Sequence, residues 1–505
     1  MRNPERIADF LRILLPYENH TLTHDIIMRI VASLIQNKLY IPNYASRHHK
    51  HIIESDELFS EMQVQEIIEH SPQEHKEAGF AKGWDSRFDT WYKLCKEFGF
   101  CTYAMNEPLL ISNTGHLLID ALNEVPSNES KIANVFLNCM MKYQSNNPFR
   151  NTRNANVPLL LLLNTMWELR NLSGDSKIFK LELAFLLCWR DSNARRLARY
   201  ILALRYRYKH FCYSFEMIYT HCLKLLDSTN TTRFKISQIC SESIDDYIRK
   251  MRITGIISLR GNGRFLDFNT FEMPKVCYVL EHYSHFTRFA SKEAYFSYMG
   301  EIDTHILSIQ PHIDSTTEEN LKLKRLEKFA LSYTKEQIYK ELAILSHKKS
   351  SSSDEVFKFI PEPTRFEFLT AIALKQHFPN VKIMPQYSID DEGLPKCHAS
   401  GNCADIICIE SACKSIVEVS LICGRGQVHN ELLPIRRHLK EMIESSKEAH
   451  GHYFALFIAP RIFEDSAAYV EFLKFKENLE IKNLSIIDFI SFIKAHHKFL
   501  DFLYV

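Results

Sequence analysis

Acidic residues near the C-terminal end of the chain have the types and spacing of a metal-dependent hydrolytic site. Asp405 and Glu418 lie thirteen residues apart, on what the pattern predicts to be two adjacent strands. Glu431 lies thirteen residues further on, and Glu367 lies 38 residues before Asp405. Clustered carboxylates repel one another and stay ionised when a cation lies between them. A divalent metal at the edge of a small sheet is the reactive centre of many phosphodiesterases, so DNA cleavage is the leading hypothesis.

The triplet Glu418-Val419-Ser420 is the most specific part of this pattern. In the nuclease core of the PD-(D/E)xK type, an Asp begins one strand and an acid-x-Lys triplet lies on the next, which is the arrangement that Asp405 and this triplet resemble. Side chains alternate along a strand, so Glu418 and Ser420 face the same side and the backbone carbonyl of Val419 is available to a hard cation. Serine cannot supply the positive charge of the expected lysine, so other groups must assist.

Two further residues are placed to assist on the predicted helix that follows. Glu431 and His438 are seven residues apart, which is two turns along one helix face. We interpret Glu431 as a partner of the metal or of a water, and His438 as a positioning group or proton carrier. Glu367 can reach the site from an earlier helix or hold a water on the metal. The structural alternatives are acids that favour a helix dipole at Glu367 and Glu431, and a surface residue at His438.

The predicted chemistry is hydrolysis by an activated water, with Mg²⁺ held by Asp405, Glu418 and the Val419 carbonyl. The expected products carry a 5′-phosphate and a 3′-hydroxyl. We expect Mn²⁺ to substitute for Mg²⁺, and Ca²⁺ to bind without supporting cleavage.

Composition is that of a soluble protein of several domains. The chain has 505 residues, of which 46% are apolar and 24% charged, and its net charge is +1. Its apolar runs fall short of the ~20 residues that a membrane span needs, and the first residues lack the apolar core of a signal peptide. A cytoplasmic location, without membrane contact, is therefore expected.

The thirteen cysteines are irregularly spaced. Cys397, Cys403, Cys408 and Cys413 lack the paired CxxC of a zinc site, which favours free thiols.

The elements that must position these residues divide the chain into four predicted regions. Residues 1–135 and 136–280 are predicted to be mainly helical DNA-recognition subdomains of winged-helix type. Residues 281–354 are predicted to be a helical connector, which ends in the polar serine run of residues 347–354. Residues 355–505 have the helix and strand order of an α/β nuclease domain.

The winged-helix prediction rests on the segment around Gly255. A predicted helix ends there, and two short strands follow, joined by the turn Arg260-Gly261-Asn262-Gly263-Arg264. In a winged helix the helix enters the major groove and the basic turn contacts phosphate, so Arg260, Asn262 and Arg264 are candidate DNA contacts. The basic cluster at residues 47–51 adds Arg47 and Lys50. The alternatives are an ordinary surface hairpin and a solvated helix face.

Several of these segments together resemble one family, the AlwI family of type IIS restriction endonucleases. The resemblance is carried by Pro363–Thr370, Asp390–Pro395, Ala404–Ile406, Val417–Leu421 and Arg436–Leu439, with weaker similarity upstream at 83–91, which adds Arg87 as a candidate DNA contact, and at 254–265. It implies a winged-helix recognition region, a helical connector and a C-terminal cleavage domain. It also implies Mg²⁺ dependence, a short asymmetric duplex site, and cutting a few base pairs outside that site.

The resemblance carries the family's site residues onto this chain: Glu367, Asp405, Glu418 and Glu431, with His438 beside them. A small hydroxyl residue is usual in the family at the position of Ser420. The resemblance further implies a companion DNA methyltransferase.

One active site cuts one strand, so double-strand cutting would need a transient homodimer or a small partner subunit, and nicking would need neither. Two other functions remain open from the sequence. One is a repair or junction nuclease that reads DNA shape, and the other is a non-catalytic winged-helix DNA-binding regulator.

Overall fold

The structure, a computed structural model, describes residues 4–124, 127–150, 152–283, 286–347, 351–399, 403–446 and 451–504. The chain forms two compact units, Met1–Tyr40 with Glu61–His312, and Ile41–Ser60 with Ile313–Val505. This division differs from the four predicted regions in two ways. The predicted connector 281–354 is divided between the units at His312, and residues 41–60 leave the first predicted recognition subdomain for the second unit. The centre of the predicted serine linker, residues 348–350, lies outside the described residues.

The helices of the described ranges are, in chain order, α1 (Ile7–Leu14), α2 (His24–Gln36), α3 (Asn43–His48), α4 (Lys50–Glu54), α5 (Glu61–Glu69), α6 (Trp84–Glu97), α7 (Asn113–Asn123), α8 (Glu129–Met140), α9 (Pro158–Ser173), α10 (Leu183–Cys188), α11 (Ala194–Arg207), α12 (Phe215–Leu226), α13 (Ser243–Arg252), α14 (Met273–His282), α15 (Lys292–Gly300), α16 (Thr304–Ser308), α17 (Ser315–Ser332), α18 (Lys335–Leu345), α19 (Glu362–His377), α20 (Leu433–Ser445), α21 (Glu464–Glu477) and α22 (Ile486–Ala495).

The strands of the same ranges are β1 (Cys101–Thr102), β2 (Leu110–Ile111), β3 (Ile178–Phe179), β4 (Ile257–Arg260), β5 (Phe265–Phe268), β6 (Lys382–Pro385), β7 (Ser388–Ile389), β8 (Pro395–Cys397), β9 (Ile406–Glu410), β10 (Cys413–Val419), β11 (His452–Ala459) and β12 (Ile481–Ser485). No described helix is both long enough and apolar enough to cross a membrane.

The first unit is mainly helical, as predicted for residues 1–280. After α13 the chain turns at Gly255, whose φ of +76° is a conformation that glycine adopts without strain. β4 and β5 then form the predicted hairpin, with Ile257 opposite Phe268 and Arg260 opposite Phe265. β3 pairs with β5 to give an antiparallel sheet in the order β3-β5-β4.

The second unit is built on a mixed sheet in the order β12-β11-β10-β9-β6. β9 runs antiparallel to β6 and to β10, whereas β10, β11 and β12 are parallel to one another. In chain order this unit contains α19, β6, the antiparallel pair β7 and β8, β9, β10, α20 and β11, which is the mixture of helices and strands expected of an α/β domain. β11 is apolar along nearly its whole length because it is covered on both faces, and its side chains pack with those of α20 and α21.

Candidate active site

Asp405 and Glu418 meet where β9 begins and β10 ends. The two strands are antiparallel and Ile406 pairs with Val417, so the residue that precedes β9 lies beside the last residues of β10. The Val419 N–H donates to Asp405 Oδ2 over 2.8 Å, and the Asp405 N–H donates to Glu418 Oε2 over 3.3 Å. The structure thus brings together the first two predicted acids and the predicted backbone ligand.

Glu431 reaches the same place from a π-helical turn, Val428–Leu432, which precedes α20. Its Oε1 accepts a 2.7 Å hydrogen bond from the Ser420 hydroxyl. π-Helical turns within helices are frequent at functional sites, where they redirect one side chain. The residue that departs from the acid-x-Lys pattern is therefore the direct partner of the third acid.

His438 contacts the site from helix α20, through Glu418. It is buried on α20, and its Nδ1 lies 2.8 Å from Glu418 Oε1. An ionised carboxylate only accepts hydrogen bonds, so this contact makes Nδ1 the protonated ring nitrogen when Glu418 is ionised. The surface position considered for His438 is wrong, because only 7% of its side chain is exposed.

Electrostatics couple the three acids. Burial raises the pKa of Glu418 to about 8, and the charge of Glu431 contributes to that rise. Burial also raises the pKa of Glu431 to about 7, against the lowering effect of the Ser420 hydroxyl. Asp405 keeps some accessible surface, yet desolvation and the Glu418 charge raise its pKa well above the usual range. Perturbed pKa values of neighbouring carboxyl groups are typical of functional sites.

Glu367 lies at the margin of this cluster. It is buried in α19, and its Oε2 accepts a 3.1 Å hydrogen bond from the Ala399 N–H. That N–H belongs to the loop after β8, which also carries His398, whose charge lowers the pKa of Asp405. Glu367 therefore fixes a loop beside Asp405, and a direct role on a metal stays a prediction.

The fit to a metal ion can be judged from the donor atoms. Within the ranges given above, no three His, Cys, Asp or Glu side chains are arranged as a ligand set. The carboxylates of Asp405, Glu418 and Glu431 instead accept hydrogen bonds from the protein. The chemistry of the donors nevertheless suits a hard divalent cation, because carboxylate oxygens are its preferred ligands and a positive charge would offset the burial and the mutual repulsion that raise their pKa values.

The predicted DNA contacts of the hairpin turn differ in exposure. Arg264 and Asn262 are exposed, and Asn262 has a φ of +55°. Arg260, in contrast, is only 17% exposed, and its guanidinium binds the Asp267 carboxylate over 2.7 Å and the Phe268 carbonyl over 2.9 Å. These contacts show that Arg260 stabilises the hairpin, whereas Asn262 and Arg264 face solvent at its tip.

The remaining predicted DNA contacts lie in two different units. Arg87, on α6 of the first unit, stacks on Trp91 and on Tyr40, with its guanidinium carbon 5.3 and 5.1 Å from the ring centres. Arg47 and Lys50 are exposed, but on the segment that belongs to the second unit. They are therefore part of the unit that carries the acids, and not of the unit that holds the rest of the predicted recognition subdomain 1.

Three site residues escaped the sequence reasoning in whole or in part. The alternation of β10 already puts Ser420 on the side of Glu418, but its bond to Glu431 depends on the π-helical turn. His398 had no signal beyond its residue type. Asp56, which accepts hydrogen bonds from the loop after β10, lies 367 residues before its partner Cys423, a separation at which local sequence patterns carry no information.

Comparison with known proteins gives the class. A family model described as AlwI restriction endonuclease matches residues 96–358 and 301–490, which together cover more than half of the chain. The class is therefore that of the restriction endonucleases. The chain belongs to the AlwI restriction endonuclease family, as the resemblance in the sequence predicts. Among curated proteins, none matches this chain.

Solved restriction endonucleases are similar to this chain at low identity. The small subunit of the heterodimeric restriction endonuclease R.BspD6I is 23% identical, covers 33% of this chain and 84% of its own, and has a TM-score of 0.27. Restriction endonuclease FokI is 11% identical, with coverage of 100% and 97% and a TM-score of 0.28. FokI bound to DNA is 13% identical, with coverage of 98% and 95% and a TM-score of 0.25.

Proposed function

We propose that this restriction endonuclease is a type IIS enzyme that binds a short asymmetric duplex site and hydrolyses a phosphodiester a few base pairs outside it. The observation that carries the proposal is the contact of Asp405 with Glu418 and Val419 at the edge of the mixed sheet, with Glu431 and His438 joined to it by hydrogen bonds. Buried acids are rare unless they are paired or functional, and here they gather at one point. Recognition and cleavage by separate units would place the cut at a set distance from the site.

Mg²⁺ is the proposed cofactor, with Asp405, Glu418 and the Val419 carbonyl as its ligands. When bound, such an ion supplies polarisation of the scissile phosphate and a lower pKa for an attacking water. Mn²⁺ is proposed to substitute, and Ca²⁺ to bind without supporting cleavage.

The protein's own groups orient these ligands and move the proton. His438 holds Glu418 in place through the 2.8 Å contact of its Nδ1. The Ser420 hydroxyl holds Glu431, whose pKa of about 7 lets it accept and release a proton near neutral pH. Glu431 is the proposed acceptor for the proton of the attacking water. As the new bond from water to phosphorus forms, the bond from phosphorus to the 3′-oxygen breaks, and that oxygen takes a proton from solvent, so the expected ends are a 5′-phosphate and a 3′-hydroxyl.

DNA binding is proposed to involve the first unit as a winged-helix reader, with α13 in the major groove and the hairpin tip on the backbone. The exposed Arg264 and Asn262 are the proposed phosphate contacts of the tip. Arg47 and Lys50 would contact DNA from the second unit, which also carries the acids. Arg87 is proposed to contribute by stabilising the aromatic side chains of Tyr40 and Trp91, on which it stacks. Arg260 is proposed to contribute by stabilising the hairpin β4–β5.

Each active site is proposed to cut one strand. Nicking follows if the chain acts alone, and double-strand cutting follows if a second copy or a small partner subunit supplies another site. A companion methyltransferase would protect the cell's own copies of the recognition sequence.

The test is cleavage of plasmid DNA by the purified protein with Mg²⁺. Cuts or nicks at one motif support the proposal, structure-dependent cuts favour a junction nuclease, and sequence-specific binding without cuts favours a DNA-binding regulator. Glu418→Ala should abolish cleavage and leave binding of the motif within about twofold, because it removes a group used in the chemistry. Glu444→Ala, which changes an exposed acid of α20, is the matched control. Wild-type cleavage by Glu418→Ala would contradict the proposed site.

A further inference from the structure

The 41–60 segment is an integral part of the second unit. The chain leaves the first unit after Tyr40 and returns to it at Glu61, and the residues between them pack within the second unit. Ile52, Ile53 and Phe59 are buried, and the His49 ring lies edge-on to Phe59 with 5.9 Å between ring centres. These apolar side chains hold the segment in place, and with it Asp56, which follows α4.

That side chain is Asp56, which binds the loop after β10. Its Oδ2 accepts hydrogen bonds from the N–H groups of Cys423, over 2.6 Å, and of Gly424. A carboxylate that accepts two backbone N–H groups makes charge-assisted bonds, which are stronger than bonds between neutral groups. A Cβ on Gly424 would lie 3.1 Å from Asp56 Cβ and Oδ2, so the absence of a side chain allows the close approach.

The loop 421–426 joins this contact to the acids. Ile422, next to Cys423, donates its N–H to Ser420 Oγ over 3.1 Å, and the Ser420 hydroxyl donates to Glu431. At the far end of the loop, the buried Gln427 donates from its side chain to the Ile422 carbonyl over 2.7 Å. The middle of the loop, at Cys423 and Gly424, is the part that Asp56 holds.

We propose that Asp56 is a positioning residue for DNA cleavage: by holding the loop 421–426 it keeps Ser420 bonded to Glu431. The inference rests on the proposed function, because it assigns Glu431 a role in cleavage. Without the carboxylate, two buried N–H groups lose their acceptor, and the loop leaves this conformation to satisfy them. Ile422 then no longer fixes the Ser420 hydroxyl, and Glu431 loses its orientation.

The first test measures the conformation of the loop 421–426 and not the cleavage of DNA. Arg425 is an exposed residue of the loop 421–426, so the rate of trypsin cleavage after Arg425 reports how often the loop opens. Cleavage after Arg437, an exposed residue of α20, is the internal reference. We expect Asp56→Ala to speed cleavage after Arg425 about tenfold or more relative to Arg437, since it removes both charge-assisted bonds. Asp56→Asn should fall between the wild type and Asp56→Ala. Glu57→Gln, a neighbouring exposed acid, should match the wild type. An unchanged rate in Asp56→Ala overturns the inference.

The second test measures the kinetics of DNA cleavage. With Mg²⁺ and saturating DNA, Asp56→Ala should lower kcat about ten- to hundredfold while KM stays within about twofold, because binding is untouched. Asp56→Asn, which keeps an acceptor oxygen, should recover part of the loss. A fall in DNA affinity that accounts for the whole effect overturns the inference.

Gly424→Ala provides the complementary perturbation at the other side of the contact. It should slow cleavage in the wild type and have a smaller effect in Asp56→Ala, where the carboxylate is gone and, of the two Asp56 atoms that the new Cβ would approach, only the Cβ remains. Additive effects of the two changes overturn the inference, and if Asp56→Ala fails to fold, Asp56→Asn and Gly424→Ala still decide it. If Glu418→Ala cuts DNA like the wild type, the proposed function fails while the tryptic result on the loop still stands.

Discussion

Replacing Glu418 by glutamine should stabilise the second unit at alkaline pH while it abolishes cleavage. In the folded chain the pKa of Glu418 is about 8, whereas its ordinary value is 4.5. Between these two values the unfolded chain releases a proton that the folded chain retains. The wild type therefore keeps its full stability below about pH 4.5 and loses stability as the pH rises through 8.

The size of the loss follows from the same two values. A difference of one pKa unit corresponds to about 1.4 kcal/mol, so the change from 4.5 to about 8 amounts to about 5 kcal/mol above pH 8. Glutamine has no such titration and can still accept a hydrogen bond from His438 through its oxygen. Its amide nitrogen cannot accept the Asp405 N–H, which costs about 1 kcal/mol. The expected net effect of the substitution is therefore a gain of about 4 kcal/mol at pH 9 and a loss of about 1 kcal/mol at pH 4.

The assay is urea unfolding in EDTA at pH 4 and pH 9, with pulsed hydrogen exchange of peptides from β9 and β10 as the probe. All four tryptophans of the chain lie within the first unit, so their fluorescence provides an internal control that should not change. Added Mg²⁺ or Ca²⁺ should stabilise the wild type at pH 9 and leave the variant nearly unchanged, because the cation offsets the charge that glutamine lacks. A variant no more stable than the wild type at pH 9, or equally stabilised at pH 4, would refute the reasoning.

Three further changes test individual contacts. Arg264→Ala should weaken DNA binding about equally for all sequences and lower its salt dependence, measured by fluorescence anisotropy at several salt concentrations, and a sequence-selective loss would mean that it reads bases. His438→Ala should slow cleavage about a hundredfold through loss of its bond to Glu418, and His438→Asn should recover part of the rate if His438 positions that carboxylate, but none if it carries a proton. Ser420→Ala removes the group that lowers the pKa of Glu431, so single-turnover cleavage at pH 7 should fall about tenfold and partly recover at pH 9, and an unchanged pH profile would argue against that contact.

The hairpin and the sheet were within reach of sequence reasoning because their signals are local. Gly255 and the Gly-Asn-Gly turn set the backbone of the hairpin, and the observed strands β4 and β5 lie where the pattern puts them. The alternation of β10 likewise fixes which side Glu418 and Ser420 face. The family resemblance added the spacing of the acids, and the family match confirms the family itself.

Unit boundaries were not within reach, because they depend on which surfaces bury each other. The predicted recognition subdomain 1 contained residues 41–60, yet the apolar side chains of that segment are buried in the second unit. Arg260 shows the same limit on a smaller scale. Its type and place suggest a phosphate contact, but Asp267 on the paired strand β5, opposite Ser258, reaches Arg260 and binds it.

The sequence by itself determined the family of the protein through its resemblance to known members, and it placed the hairpin β4–β5 and the strands β9 and β10, because residue types, alternation and short-range spacing carry these signals. It also predicted which acids form the site. Only the tertiary structure decided how the acids are held: Ser420 on Glu431, His438 on Glu418, and Asp56 on the loop between them. The physical reason is that a hydrogen bond between residues far apart in the chain depends on how the intervening elements pack, and no local pattern encodes that packing.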